Sequence, residues 1–347
     1  NTALNELLCF FNQLTNLDVS QNTALTQLFC QNNQLTNLDV SQNTALTQLR
    51  CHANPLTILD VTQNTALNEL LCSSNQLTNL DVSQNTALTQ LRCQDNQLTN
   101  LDVSQNTALN ELLCSFNQLT NLDVSQNTLT YLNCSANPLT NLDVSQNTAL
   151  NELNCGSNQL TNLDVSQNTA LNELSCSFNQ LTNLDVSQNT ALNELNCNNN
   201  QLTNLDVSQN TALTSLNCSY NQLSSLDVRN GNNLNFSSFI STGNASLYCI
   251  NVDNPNWSTY NWSNIGPQNY FSLDCLPNWN CINDACVDPM DGTGMYGSLN
   301  VCEQECQSVS SIIENNFDVN IFPNPSSNLF NLEFYSDTKS KIIVTNV

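Results

Sequence analysis

The sequence predicts a mainly β solenoid, a chain that coils once per 21 residues and stacks coil on coil, followed by a differently composed tail. Three observations carry this prediction. Eleven cysteines, running from Cys9, Cys30 and Cys51 to Cys197 and Cys218, recur at a 21-residue step, broken once by a 20-residue step between Cys114 and Cys134. Within one period the inward positions Leu25, Leu28, Cys30, Asn33, Leu35, Leu38 and Val40 are separated by alternating gaps of three and two. That spacing matches neither the ~3.6-residue period of a helix nor the ~2-residue period of a strand, and it suits a chain that turns inward at several corners of one coil. Beyond about residue 229 the period frays and six further cysteines stand at irregular spacing in polar sequence.

The string L-x-x-L-x-C-x-x-N-x-L-x-x-L, eleven times in one phase, resembles the leucine-rich-repeat signature with Cys in the third apolar slot. The resemblance covers residues 1 to about 228 and is nearest to the short repeats of bacterial surface and secreted proteins. It implies a right-handed solenoid. A short strand per coil, Gln27 to Gln31 for example, lines a concave parallel sheet. The convex stretch LTNLDVSQNT is rich in β-branched and cap-type residues, which favour turns and extended chain over helix. No coil buries its leucines alone, so stability comes from stacking. The short coil reads SQNTLT for SQNTALT, a one-residue deletion in a surface turn that leaves the inward residues Leu132 and Cys134 in phase.

Stacking puts identical residues in columns. The ladder cysteines point inward beside leucine, so they are expected to be reduced, buried and space-filling. Parallel in-register neighbours are poor disulfide geometry, and no His or charge accompanies the thiols to make a redox or metal ladder. The Asn column (Asn12, Asn33, Asn54, Asn75 and onward) is expected to satisfy backbone groups at the corner after each strand. The Asp column (Asp18, Asp39, Asp60 and onward to Asp227) sets carboxylates about 5 Å apart, where they repel. Each is expected to accept hydrogen bonds from the residue two further on, as in an Asx turn. Bridging Ca²⁺ is the alternative reading.

Variation between coils concentrates at the strand and just after the cysteine. Residues before the cysteine include Leu8, Phe29, Arg50, Leu71, Arg92 and Leu113 in the first half of the array; Glu152, Glu173 and Glu194 mark the second half. After the cysteine stand Phe10, Phe11, His52, Asp95, Phe116, Phe178 and Tyr220. Exposed aromatic and Arg residues enrich interface centres, so Phe29, Arg50, His52, Leu71, Arg92, Leu113, Phe116, Phe178 and Tyr220 are the expected partner-binding residues of the concave face. The competing reading pairs Arg50 with Glu69 and Arg92 with Glu111 on adjacent strands, an interaction worth little at a surface.

Four segments follow from this reading: a solenoid over 1–228, a cap over 229–277, a Cys-rich module over 278–308 and a last segment over 309–347. Trp257, Tyr260, Trp262, Tyr270 and Phe271 suit a lid over the open core; the competing reading of NPNWSTYNWSN is an aromatic glycan platform. Cys249, Cys275, Cys281, Cys286, Cys302 and Cys306 form a plausible disulfide framework, with Cys249 paired to Cys275 and three connectivities open for the rest. Asp288 and Asp291 in DPMDGTGMYG are weak Ca²⁺ candidates, because the same string is ordinary turn chemistry. The final stretch, with Phe322-Pro323-Asn324-Pro325 and then alternating Leu329, Asn331 and Glu333, resembles the start of the C-terminal sorting domain of type IX secretion. That resemblance implies export across an outer membrane. The chain stops at KIIVTNV, and the later strands and terminal basic motif of that family are not in it. It opens mid-pattern with no signal peptide visible, as a mature or truncated product would.

Composition bounds function. The net charge is −24 with only five Lys and Arg, which opposes binding to nucleic acid and to anionic membranes. No run of 18 apolar residues is present. His52 is the only histidine, and neither a P-loop nor a dinucleotide glycine fingerprint occurs, so no catalytic role and no cofactor are expected. The reading is a secreted or cell-surface binding and adhesion scaffold for a protein or peptide, with surface glycan as a further ligand class. The alternative is a structural protein that self-associates into filaments or lies on an ordered surface such as ice or glycan.

Overall fold

Each coil contributes a three-residue strand centred on the leucine two places before the ladder cysteine, from Glu6–Leu8 and Gln27–Phe29 to Glu194–Asn196 and Ser215–Asn217. Consecutive strands pair in parallel, Leu28 opposite Leu49 and Phe29 opposite Arg50, so sequence period becomes spatial column. The computed structural model describes residues 1–275 together with 280–282, 285–287, 299, 302–303, 306, 322–323 and 330–331. Residues 1–275 form one unit and residues from 276 onward another, and each is described by itself.

The concave sheet has twelve strands in sequence order, the last being Ser238–Ile240, one strand beyond the regular repeats. A second parallel sheet of four strands, Asn204–Asp206, Ser225–Asp227, Cys249–Asn251 and Tyr270–Ser272, starts at the Leu-Asp-Val stretch of the last regular coils. The strands stop sooner than the expected Gln27 to Gln31 because the chain turns left-handed two residues after each ladder cysteine. Asn32 has φ 56°, and ten equivalent non-glycine residues lie between 51° and 58°. No described coil of the solenoid contains an α-helix; the convex stretch is turns and extended chain, as the residue types predicted.

The core is a continuous stack of leucine, valine and cysteine, with the cysteines from Cys30 to Cys218 fully buried. All eleven ladder cysteines are free thiols. Burial raises them, Cys51, Cys93, Cys134 and Cys218 to about 12. They therefore pack as small apolar groups rather than as nucleophiles or metal ligands.

Two asparagine ladders run through this core. In the expected one, Asn117 donates from Nδ2 to the carbonyls of Cys93 and Cys114 at 3.0 and 3.1 Å, and its Oδ1 accepts from the Leu98 N–H at 2.9 Å. It thus ties two successive corners together. The second ladder was not anticipated. Asn43, Asn64, Asn85 and their equivalents sit at the convex turn and are as buried as the leucines. Asn106, for example, donates to the carbonyls of Val82 and Asn85 at 3.0 and 2.8 Å. Its signal was the SQN triplet, varied only to TQN at Thr62, which reads equally as a surface turn.

The short coil heals in the same turn. Leu129 lacks the N–H bond back to an asparagine carbonyl that Leu109 makes to Asn106; instead the Thr128 N–H reaches Leu109 O at 3.1 Å, and Leu129 stays fully buried.

At the C-terminal end, the core is closed by Phe236, Phe239 and Trp262, with Trp257 and Phe271 packed against them. The Phe239 and Trp262 rings stack at 4.2 Å. Trp262 reaches this place at the end of the helix Pro255–Asn261, started by Pro255 and capped by the Asn254 side chain accepting from the Trp257 N–H. The lid reading therefore holds for Trp257, Trp262 and Phe271. Tyr260 points outward, 89% exposed, and the segment is not a glycan platform of aligned rings. By its letters the segment SLYCIN around Cys249 resembles the strand phase of a final, atypical coil, but Cys249 does not continue the concave column. Ser241 fills the buried ladder slot, and Cys249 lies in the second sheet, bonded to Cys275.

In the second unit, Asn280–Ile282 and Ala285–Val287 form an antiparallel hairpin with Cys281 opposite Cys286. Two disulfides, Cys281–Cys306 and Cys286–Cys302, select one of the three open connectivities. Phe322–Pro323 pairs antiparallel with Phe330–Asn331. Asp288, Asp291, Asn324, Pro325, Leu329 and Glu333 lie outside the described residues.

Candidate binding surfaces

In each strand the central leucine points into the core, leaving the two flanking side chains on the concave face. The first half of this face is a ribbon of Leu8, Phe29, Arg50, Leu71, Arg92 and Leu113, each opposite the next across a parallel pair. Five strand spacings make it about 24 Å long. The two arginines are neutralised along the ribbon. Arg50 Nε donates to Glu69 Oε1 at 2.6 Å, and Arg92 Nε to Glu111 Oε1 at 2.7 Å. The Arg50 guanidinium also lies over the Phe29 ring, 4.3 Å from its centroid. The pairing reading is therefore correct as geometry. Its effect is to hold two long side chains flat on the sheet, so that less rotamer entropy remains for a partner to freeze.

His52 sits half-buried behind this ribbon. Burial, then the positive charges of Arg50 and Arg92, lowers its pKa, so it is neutral at pH 7. Its Nδ1 is buried without a partner.

The second half differs in charge and shape. Glu152, Glu173 and Glu194 stand side by side on successive strands, with no basic partner among the described residues. Burial and then the charges of Glu152 and Glu194 raise the pKa of Glu173. Tyr131 heads the column, and its hydroxyl is pushed up by burial and by Glu152 and Glu111. Around these side chains the sheet forms a groove of about 390 Å³, floored by residues such as Asn154, Ser175, Asn196 and Asn217 and closed by Ile240. Sequence reasoning found the acidic gradient and missed the groove, which depends on small polar side chains stacking beside one another.

Phe116, Phe178 and Tyr220 are not on the strands. They occupy the left-handed position of the turn that borders the concave face, and are 65%, 55% and 60% exposed. Phe11, 74% exposed, holds the same position in the first coil. The sequence-predicted residues thus divide into a ribbon (Phe29, Arg50, Leu71, Arg92, Leu113), a half-buried histidine and a separate marginal row.

On the opposite flank, the Asp column behaves as a set of Asx turns. Asp102 Oδ1 accepts from the Ser104 N–H at 2.9 Å, and its equivalents do likewise. Those bonds hold the Asp102 carboxyl below its ordinary value despite the neighbouring charge of Asp123. Asp227 Oδ1 accepts likewise from the Arg229 N–H at 3.0 Å, and its carboxylate is also paired with the Arg229 guanidinium.

No protein-family model and no curated protein sequence matches the chain. Solved structures do. The chain is similar to the functional domain of InlJ from Listeria monocytogenes, which includes a cysteine ladder, at 42% identity and TM-score 0.69, over 78% of this chain and 62% of that one. It is also similar to an LRR protein from Leptospira interrogans (26% identity, TM-score 0.58, 75% and 82% of the two chains). An internalin, inlF, from Listeria monocytogenes shares the fold at 20% identity, with TM-score 0.60 over 77% and 87%. The chain spans about three-fifths of the length of the InlJ domain, at 62%. These likenesses show a leucine-rich-repeat fold. Among the described residues no helix is long and apolar enough to cross a membrane.

Proposed function

We propose that this leucine-rich-repeat solenoid is a non-catalytic scaffold, exported to the outer cell surface or beyond, that binds a protein or peptide on its concave face. The observation that carries the reading is the contrast between faces. The convex columns repeat nearly unchanged, whereas the concave strands bear an apolar and Arg ribbon that gives way to an acidic groove. A polar gradient of this kind orients a ligand, with apolar side chains on Phe29, Leu71 and Leu113 and basic ones over Glu152, Glu173 and Glu194. Export is supported by three disulfides, which persist in oxidising compartments, and by the FPNP stretch resembling a type IX sorting signal. The likeness to the InlJ domain, which also includes a cysteine ladder, supports the scaffold itself.

The test is selection of extended peptides from a displayed random library on the whole chain. Selected peptides are expected to be apolar at one end and Lys- or Arg-rich at the other. They should lose at least tenfold in affinity on the variant carrying Arg50→Ala, Leu71→Ala and Arg92→Ala, and nothing on a convex variant such as Asn100→Ala. Peptides that bind the concave variant as well as the parent would overturn the reading.

A further inference from the structure

The left-handed turn after each ladder cysteine favours glycine, asparagine or aspartate, since a side chain with a Cβ crowds the backbone at φ near +53°. Several coils follow that rule, with Asn32, Asp95 and Asn199 at this position. Phe11, Phe116, Phe178 and Tyr220 break it with the bulkiest residues available. Their rings gain nothing from the core in exchange, because all four are more than half exposed. A residue type that the backbone disfavours and the core does not use is there for what lies outside.

The rings are set in register. The N–H of Phe116, Phe178 and Tyr220 each donates to a carbonyl of the next coil, at 2.8 to 3.0 Å, so the row advances one strand spacing per coil. Phe178 lies three coils from Phe116 and Tyr220 two coils further on, which is about 14 and 10 Å at strand spacing. Between them stand small or polar residues, Asn199 among them. Tyr220 is also held in place. Its ring lies against Gly243, where an added Cβ would come within 2.6 Å of Cδ1, so only glycine admits the ring there.

We propose that this marginal row is a glycan-binding track, on which the rings stack against the apolar faces of sugars in an extended, neutral polysaccharide. Isolated rings separated by polar gaps make a poor centre for a protein interface, which requires contiguous dry apolar surface. They fit a polymer that presents an apolar ring face at intervals, with hydroxyl groups between to bond the small polar side chains. The polymer is neutral because a chain of net charge −24 repels sulfated or carboxylated glycans. This track is distinct from the concave ribbon and does not depend on it.

The experiment is affinity electrophoresis of the full chain in gels containing a neutral β-glucan, xylan or a soluble chitin derivative, with dextran sulfate as the anionic control, backed by calorimetric titration with the matching hexasaccharide. The parent should be retarded by at least one neutral polymer and not by dextran sulfate. The variant carrying Phe116→Asn, Phe178→Asn and Tyr220→Asn should lose at least tenfold in affinity while melting no lower than the parent, since asparagine suits the turn better. The concave variant carrying Arg50→Ala, Leu71→Ala and Arg92→Ala should be retarded like the parent. No retardation of the parent by any of the neutral polymers, retention of binding in the asparagine variant, or a lower melting temperature for it would each overturn the proposal. The last result would show that the rings serve the fold.

Discussion

Replacing Asn117 by alanine should destabilise the protein more than replacing Asn106, although Asn106 is fully buried and Asn117 is 8% exposed. The difference lies in what each leaves behind. The carbonyls served by Asn117 keep a second donor, Cys93 O from Asn96 and Cys114 O from Asn137. The Leu98 N–H has Asn117 Oδ1 as its acceptor and none in its place. A buried orphan N–H costs about 1–3 kcal/mol, and two lost amide bonds about 1 kcal/mol each, so Asn117→Ala should cost roughly 3–5 kcal/mol. Asn106 donates two bonds to carbonyls that retain other partners, Val82 O from the Asn85 N–H and Asn85 O from the Leu88 N–H. Its own Oδ1 has no partner to lose. Asn106→Ala should therefore cost about 1–3 kcal/mol. Asn117→Asp separates the terms further. Its carboxylate can still accept from Leu98 but sets a second oxygen against two carbonyls, which raises its pKa in the folded state. Its stability is retained below the unfolded carboxylate pKa and lost as pH rises, so at neutral pH it should fall below the alanine variant, with the gap closing in acid. Urea unfolding followed by circular dichroism at pH 4.5 and pH 7 measures all three. Equal losses for Asn106→Ala and Asn117→Ala, or an aspartate variant insensitive to pH, would refute the accounting.

Five further outcomes follow from the same structure. Native protein should show no reaction of its eleven ladder thiols with a thiol reagent, save slow labelling of the partly exposed Cys9, whereas all eleven should react in denaturant. Because burial raises the thiols from 9.0 to about 12 at Cys51, Cys93, Cys134 and Cys218, their contribution is intact below pH 9 and is lost as pH climbs toward 12, so the melting temperature should fall steeply in that window. In acid the sign reverses. The Asp column is held below its ordinary 3.8 by serine bonds, so its support is present above that value and lost as pH falls through the lower folded pKa. Chelator should leave the neutral melting temperature unchanged, and a drop would reveal bridging cations between those carboxylates. Replacing Cys249 and Cys275 together by alanine opens a 26-residue span and should cost about 3 kcal/mol, read as earlier proteolysis of the cap.

The inward columns were legible because stacking turns a period into a contact: Leu28 meets Leu49 simply because each is the same letter of its coil. The expected asparagine corner was legible for a chemical reason, since an amide beside a strand end is the group that can donate to two carbonyls and accept from an N–H at once. The second ladder was hidden. SQNT is also what a solvated turn looks like, and only the stacked backbone shows that Asn43 faces inward. The marginal row was seen as exposed aromatics, but the left-handed backbone beneath Phe116 and Phe178 has no sequence signal when the residue is not glycine or asparagine. The end of the regular array misled for a related reason. The apparent strand phase at Cys249 matched by letter, while the coil before it had lengthened and moved Ser241 into the ladder slot.

The near-identity of the coils has a consequence for how such a chain can be cut. Each coil contacts only its neighbours, so stability is close to a sum of coil and interface terms. Excising Leu77–Gln97 joins Gln76 to Leu98 and removes 21 residues in phase. Asn75 then meets Asn117 as it met Asn96, and the Leu56 N–H, bonded to Asn75 Oδ1, is undisturbed. Every column should close over the gap, with Leu71 now beside Leu113 and the Arg92 to Glu111 pair lost at small cost. The shortened protein should fold with an unchanged spectrum per residue and a slightly lower unfolding midpoint. Excising about half as much, Leu77–Ala87, moves leucines into convex slots and should prevent folding beyond that point. If the full-coil deletion unfolded like the half-coil one, stability would have to reside in something other than the stacked ladders, and the reading of the solenoid as a neighbour-to-neighbour stack would fail.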